Sequence, residues 1–246
     1  MAVPHGKGTK VLLDYRDVSA WFNSSDLGNT MDLAETTTYG ASVKTYIAGL
    51  KDADFTLAGL FDAELFAGDT ASFDSLLSSL FGTSSLLVTV GLNGLVEGGR
   101  SVSAQVVETE YSIHSPVSDA VSVDVALKPS AQEPGKTAVV LHTLQIETAT
   151  VDGATQDQGA ASADGGVGFL HVTANTRNGA SVFKVQHSTN GSAWVDLISF
   201  ASVGSTTRAA ERVAVAGTVN RYVRGQLFSL GGSSGGPTYT ITFVRG

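Results

Sequence analysis

The 246-residue sequence contains no cysteine and only five prolines. Without cysteine, the chain can form neither a disulfide framework nor a thiolate metal site, which favours a reducing cytoplasm or a particle assembled there. It also has no apolar run of the roughly 18 to 20 residues that a membrane-spanning helix needs, and its first residues lack the apolar core of a signal peptide. We therefore expect a protein that is soluble when made and has no membrane partner.

Charged residues are also scarce, at 15% of the sequence against a usual value of about 25%. A surface with so few charges is often covered by partners, although an ordinary soluble β protein rich in Ser, Thr and Gly would show the same composition. The net charge of −8 is uneven: residues 1–155 carry 19 acids and 8 bases, whereas residues 156–246 carry 4 acids and 7 bases. An acidic first part would repel DNA, which suits a conduit but not a DNA-binding protein.

Strand patterns dominate the chain. Val121, Val123, Val125 and Leu127 alternate with small or polar residues, as in a strand with one buried face. A stretch of small and polar residues then predicts a linker, and we place the domain boundaries at 1–155, 156–165 (linker) and 166–246. The predicted fold class is all-β, with a β-sandwich and one flank helix followed by a small C-terminal β-sandwich. We expect the first domain to fold and assemble without the second.

One segment has helical periodicity instead. Five apolar side chains recur at i, i+3, i+4, i+7 and i+8, which places them on a single stripe. These helix-packing residues are Phe73, Leu76, Leu77, Leu80 and Phe81. Asp69 or Thr70 could cap the start, and Gly82 could end the helix in the left-handed conformation. A helix this short is marginal alone, so we expect it to pack on the sheets.

No catalytic or metal-binding motif is present, so we expect no enzyme activity and no cofactor. The carboxylate pairs Asp52/Asp54 and Glu108/Glu110 have i, i+2 spacing and could hold a cation or serve acid–base chemistry, but solvated strand faces give the same pattern. Trp194 follows a predicted turn. It is either a core tryptophan or part of a sugar-binding surface of the outer domain.

Residues 36–62, TTTYGASVKTYIAGLKDADFTLAGLFD, are the most distinctive part of the sequence. They resemble the tail tube proteins of long-tailed (siphovirus-type) bacteriophages, in which a Thr-rich segment and Gly precede a Lys-Thr-Tyr-Ile-x-Gly-Leu-Lys-Asp-Ala run. Residues 17–24, DVSAWFNS, are similar to the opening strand of that family. Residues 186–188, 194, 197, 210–213 and 219–224 resemble an outer domain attached to some of its members.

This resemblance implies a β-sandwich with a flank helix, whose sheets join around a hexameric ring into a continuous β-barrel. Such rings stack into the virion tail tube, which surrounds a tape measure protein and later passes genomic DNA without binding it specifically. The implied partners are other copies of the chain, the tape measure protein, and the tail terminator and baseplate or hub proteins. Assembly would take place in the host cytoplasm.

The resemblance and the charge distribution together suggest roles for two sets of residues. The inter-ring stacking loop would contain Thr36, Thr37, Thr38, Tyr39, Gly40, Lys44, Thr45, Tyr46 and Ile47, within a polar segment that we expect to be a loop from Thr36 to Lys51. The candidate lumen acids are Glu108, Glu110 and Asp124, on strand faces predicted to be polar. A capsid decoration protein or an adhesin or carbohydrate-binding virion protein is the alternative function, since either would share the β-domains.

Overall fold

The computed structural model describes residues 6–64, 72–83, 85–131 and 137–246, and it confirms an all-β fold with one α-helix. The helix α1 spans Phe73–Leu80. The strands are β1 Lys10–Leu13, β2 Arg16–Asp17, β3 Phe22–Glu35, β4 Tyr46–Leu60, β5 Leu86–Gly91, β6 Arg100–His114, β7 Ser122–Pro129, β8 Thr137–Ile146, β9 Val151–Asp152, β10 Gln156–Asp157, β11 Gly166–Asn175, β12 Ser181–Ser188, β13 Val195–Ser199, β14 Ala209–Val215, β15 Tyr222–Leu230 and β16 Pro237–Arg245.

The chain folds into two compact units that interleave along the sequence. The large unit comprises Met1–Ser19, Leu87–Ser103 and Lys136–Gly246, and the small unit comprises Ala20–Leu86 and Ala104–Gly135. This division differs from the predicted boundaries at 1–155 and 166–246. The predicted linker itself contains β10, which pairs with β15, because its backbone groups find partners there rather than in solvent.

The large unit is a two-sheet structure. One sheet has the strand order β14-β11-β16-β8-β6-β5-β1-β2, to which β6 contributes its first residues, and the other has the order β10-β15-β12-β13, with β9 beside β15. Side chains from both sheets meet in one apolar core. This core includes Leu141, Leu170, Phe183, Val185, Ile198, Val223, Leu227, Tyr239, Ile241 and Phe243. Contact between the inner faces is what a β-sandwich requires.

A buried string of polar side chains crosses the interior of the large unit. Nδ1 of His171 bonds to the Asp14 carbonyl, so Nε2 accepts from the Thr89 hydroxyl at 2.9 Å. Ser103 then links Thr89, at 2.9 Å, to Thr242, at 2.8 Å. Full burial lowers the pKa of His171 to about 4, so the imidazole is neutral at neutral pH. Each polar group in the string is satisfied, which is the condition for burying it.

The small unit contains a four-stranded antiparallel sheet of order β3-β4-β7-β6, in which β6 takes part from Ala104 onward. Phe55 and Leu57 of β4 and Val123, Val125 and Leu127 of β7 are all buried on one face. Helix α1 belongs to the same unit, with Phe73, Leu76 and Leu77 buried. This sheet-and-helix arrangement matches the predicted flank helix.

The interleaving changes what we expect of a shortened chain. A chain stopped after Ala160 would lose β11 and β16, so β8 would lose its neighbour β16, and Ala138 and Leu141 would lose the core residues around them. We expect this truncation to be insoluble or to melt without a cooperative transition. Soluble yield and thermal unfolding followed by circular dichroism are the measurements, and a soluble truncation that melts cooperatively would contradict this account of the core.

Candidate assembly surface

Both outer strands of the small-unit sheet have an unpaired edge within the described parts of the chain. β3 pairs only with β4 along its 14 residues. On β6, the last five residues, 110–114, pair only with β7. Unpaired backbone N–H and C=O groups along an edge form a template for strand addition, and proteins usually cover or interrupt such an edge. Further strands could therefore pair with this sheet at both edges.

β3 and β4 continue beyond the body of the small unit as a hairpin arm, residues 28–51. Every residue of the arm is exposed or half-buried, and the exposed fractions of Leu33, Ile47 and Leu50 are 58%, 59% and 79%. The connecting loop runs only from Thr36 to Thr45, where the Thr36 N–H donates to the Thr45 carbonyl at 2.8 Å. The prediction of a loop as far as Lys51 is wrong, because residues 46–51 pair with β3.

The predicted stacking residues consequently fall into two groups. Those from Thr36 to Thr45 lie in the exposed tip of the arm, and Tyr39 is fully exposed there. Tyr46 and Ile47 instead lie in β4, opposite Glu35 and Ala34. Two strands of an isolated hairpin with both faces in water are only marginally stable.

The face of the small-unit sheet opposite its core is polar and acidic. Cross-strand neighbours Asp26, Thr56, Ala126 and Glu110 form one row across all four strands. The other acids that the strand register places on this face are Asp52, Asp54 and Asp124. Two of the predicted lumen acids, Glu110 and Asp124, therefore share an exposed surface with three further aspartates.

The Asp52/Asp54 pair, whose spacing fits either a cation or acid–base site or a solvated strand face, contacts a lysine of the same sheet. The Lys128 ammonium on β7 contacts both carboxylates, and its distance to Asp52 Oδ2 is 2.8 Å. The bond to Lys128 lowers the pKa of the Asp52 carboxyl, so Asp52 is ionised at neutral pH. In addition, His114 Nε2 lies 3.0 Å from Asp124 Oδ2. Basic side chains therefore lie next to only some of the acids on this face.

Glu108 does not share this face, and its prediction as an exposed acid is wrong. Its exposed fraction is 1%, and it lies opposite Leu127 on the buried side of the sheet. The strand register shifts between Glu108 and Glu110, so Thr109 is an extra residue on β6. In a regular strand, residues two positions apart lie on the same face of the sheet. The bulge changes this alternation, so that Glu108 lies on the buried face and Glu110 on the exposed face.

Helix α1 begins at a different cap from the predicted ones. Ser72 is the N-cap, and its side chain and that of Ser75 form a reciprocal capping box with the backbone. The predicted caps Asp69 and Thr70 lie outside the described residues. Gly82 does adopt a left-handed conformation, with φ of +76°, just after the helix.

The apolar stripe of α1 is shorter than the sequence predicts. Phe73 stacks on Trp21 at 5.5 Å between ring centroids and meets Phe22 edge-on at 5.3 Å. Leu76 and Leu77 are buried, and Leu80 is half-buried. Phe81 lies outside the helix with an exposed fraction of 59%, because its extended backbone turns away from the stripe.

The two units differ in the sign of their net charge. The small unit has 14 acids and 3 bases, a net charge of −11, whereas the large unit has 9 acids and 12 bases, a net charge of +3. The three bases of the small unit are all lysines, and all eight arginines of the chain belong to the large unit. Arginine can bind a phosphate through two parallel hydrogen bonds, whereas lysine cannot.

Trp194 lies on the large unit, half-buried, with the Arg224 guanidinium 4.5 Å from its ring centroid. Arg224 also donates to Gln186 Oε1 at 2.8 and 3.0 Å and lies 3.0 Å from Asp152. One face of the indole is therefore covered by a cation. The sugar-binding interpretation of Trp194 stays a prediction.

No group of three or more His, Cys, Asp or Glu side chains is placed to hold a metal ion in residues 6–64, 72–83, 85–131 and 137–246. Within those ranges, no helix is long and apolar enough to cross a membrane.

The sequence matches no protein-family model and no curated protein. Among solved structures, it is similar to a chain of the virion of a native gene transfer agent particle, with a TM-score of 0.41, 15% identity, and coverage of 52% of this chain and 95% of that one. A chain of the tail of an empty gene transfer agent particle aligns with a TM-score of 0.39, 14% identity, and coverage of 52% and 96%. A chain of the cap that terminates the tube of the anti-feeding prophage gives 0.39, 13%, and coverage of 52% and 88%.

The buried stripe of α1 gives a direct test of the small unit. Leu77→Asp should reduce the free energy of unfolding by about 3–5 kcal/mol, because it places a charge in a packed apolar site, against a typical total of about 5–15 kcal/mol. Soluble yield and thermal melting should both fall. Ser78→Asp, on the exposed side of the same helix, is the matched control and should melt close to the wild type. Equal melting of the two variants would mean that the stripe does not support the unit.

Proposed function

We propose that this protein is a structural subunit that self-assembles into hexameric rings, which stack into the tail tube of a siphovirus-type phage and form the conduit for DNA ejection. The observation that carries this proposal is the small-unit sheet, with two open edges and an acidic outer face. The resemblance of residues 36–62 to tail tube proteins supports a tube as the kind of assembly. In this reading, the protein acts by shape and charge rather than by catalysis.

The strand directions support closure into a ring. Neighbouring strands in the order β3-β4-β7-β6 are all antiparallel, so β3 and β6 run in opposite directions. If copies are related by rotation about one axis, the β6 edge of one copy meets the β3 edge of the next in antiparallel orientation, as within the sheet. A head-to-tail contact of this kind generates a closed ring when the rotation closes. The joined sheets then form a barrel without edges.

The hairpin arm supports stacking. Its tip, residues 36–45, lies at the far end of two extended strands and exposes Tyr39 and Val43 to solvent. Main-chain pairing holds the arm extended, so its tip can reach a neighbouring copy. We assign the contact between successive rings to this tip, with Tyr46 and Ile47 on the adjoining part of the arm.

The acidic face supports an inward orientation towards DNA. Asp26, Asp52, Asp54, Glu110 and Asp124 would line the bore and repel phosphate at short range, because opposed negative charges raise the energy of contact. The small unit has no arginine to hold a phosphate, so a passing duplex would find few fixed binding points. We place the tape measure protein in the same bore before ejection, and the tail terminator and baseplate or hub proteins at the two ends.

The direct experiment is negative-stain electron microscopy of the purified, concentrated protein. We expect tubes of uniform width built from stacked rings, since the open edges and arms are present in the single chain. Isolated trimers or spikes would instead favour a capsid decoration protein or adhesin. Particles that remain monomeric at every concentration would contradict the proposal.

Deleting residues 38–45 tests the role of the arm tip. The deletion removes the exposed tip and leaves the pairing of β3 with β4 and the cores of both units intact, so we expect a folded subunit that forms rings at most. Tube length, measured by electron microscopy, should fall to one or a few rings, while the melting temperature stays near that of the full chain. Tubes of ordinary length from this variant would show that the tip does not connect the rings.

A further inference from the structure

Glu108 of β6 has a buried carboxyl group. Its side chain is 1% exposed, and neither carboxyl oxygen has a hydrogen-bond partner among residues 6–64, 72–83, 85–131 and 137–246. Across the sheet it lies opposite Leu127, which in turn lies opposite Phe55, and both of these are buried and apolar. A charged carboxylate in such a site is strongly disfavoured, whereas a protonated one is tolerated at a smaller cost.

The backbone of the same residue holds the end of the helix. The Gly82 N–H donates to the Glu108 carbonyl at 3.0 Å, and Phe81 forms a parallel β-bridge with Glu108. Residues 81–83, which we call the exit segment, are therefore attached to β6 at this residue. Any movement of β6 that took the Glu108 side chain into water would also pull on this attachment.

The described groups around Glu108 do not stabilise its charged form. From α1, Asp74 points towards β6, where its Oδ1 accepts from the Tyr111 hydroxyl at 2.5 Å. Tyr111 is the titratable neighbour on β6 itself, and Lys128 on β7 is engaged with Asp52 and Asp54 on the opposite face of the sheet. On this face, β4 and β7 present the apolar side chains of Phe55, Leu57, Val125 and Leu127.

We propose that Glu108 is a proton-dependent latch: while uncharged it lets the exit segment close on β6, and when ionised it leaves the core and releases that segment. The device adjoins the open stretch of β6, residues 110–114, so its state also bears on the edge proposed to join copies. It does not depend on tube assembly, because all the contacts that define it lie within the small unit.

The sign of the pH dependence follows from the two states. Burial raises the pKa of Glu108 from 4.5 to about 8 when the latch is closed. Once opened, the carboxyl is in water and returns to its ordinary pKa. The open state therefore binds fewer protons between these values, and the ratio of open to closed forms should rise about tenfold per pH unit until about pH 8, then level off.

Hydrogen exchange of the full-length protein tests this directly. After correction for the intrinsic pH dependence of exchange, protection of the Gly82 amide should fall about tenfold per pH unit from about pH 5 to about 8. Glu108→Gln, which keeps the shape of the neutral acid, should remove this dependence. Glu64→Gln, at an exposed glutamate of the same unit, should keep the wild-type profile. A wild-type profile that is as flat as that of Glu108→Gln would overturn the latch.

A measurement on the unmodified sequence covers the case in which Glu108→Gln does not fold. In protein labelled with ¹³C at glutamate carboxyls, the Glu108 resonance should titrate well above its ordinary pKa of 4.5 and no higher than about pH 8. Titration of every glutamate near its ordinary pKa would refute the proposal. Because neither experiment needs tubes, a failure of the latch and a failure of the tube assignment can be told apart.

Discussion

Unsatisfied backbone hydrogen bonding at the edges of the small-unit sheet is the constraint on which this account depends. The N–H and C=O groups that point outward from β3 and from residues 110–114 of β6 must pair with water or with a further strand. A long, accessible edge is a hazard for a protein that remains monomeric, and here it is neither shortened nor covered within the described residues. The same edge is an advantage for a subunit whose purpose is to extend its sheet into the next copy.

The charge distribution is consistent with this constraint. The strand register gathers four aspartates and Glu110 from β3, β4, β6 and β7 on one face, and the small unit as a whole has a net charge of −11. Joining such faces in a ring brings like charges together, and their repulsion costs energy. This repulsion becomes weaker as the salt concentration rises. Lys128 between Asp52 and Asp54 reduces that repulsion locally without presenting an arginine to a phosphate.

Local patterns predicted much of the fold. Alternation in residues 121–128 placed β7 within one residue, and the spacing of Phe73, Leu76 and Leu77 placed α1, because each signal lies within a few residues of sequence. The bulge at Thr109 could not be predicted, since it depends on how β6 pairs with β7, and it moved Glu108 to the interior. The full length of β3 was not predicted, because an arm that is exposed on both faces has no periodic pattern of buried residues.

The division into units could not be predicted for a related reason. The pairing of β8 with β16 joins residues about 100 positions apart, and a change in local composition near residue 160 carries no information about it. The interpretation of Trp194 depends likewise on Arg224, which is remote in the sequence. Of the proposed lumen acids, Glu110 and Asp124 were found by alternation, whereas Asp26 joined them only through the pairing of β3 with β4.

Disulfide trapping between neighbouring copies tests the central claim most directly, because the native chain has no cysteine to interfere. Ser112→Cys on β6 would be combined in turn with a cysteine at Ser24, Asp26 or Thr30 on β3, all on one face of the sheet. At one of these registers, oxidation of assembled protein should give a ladder of covalent oligomers that ends at a closed ring. Assembled tubes that form no intermolecular disulfide at any register would contradict edge-to-edge joining of the small-unit sheets.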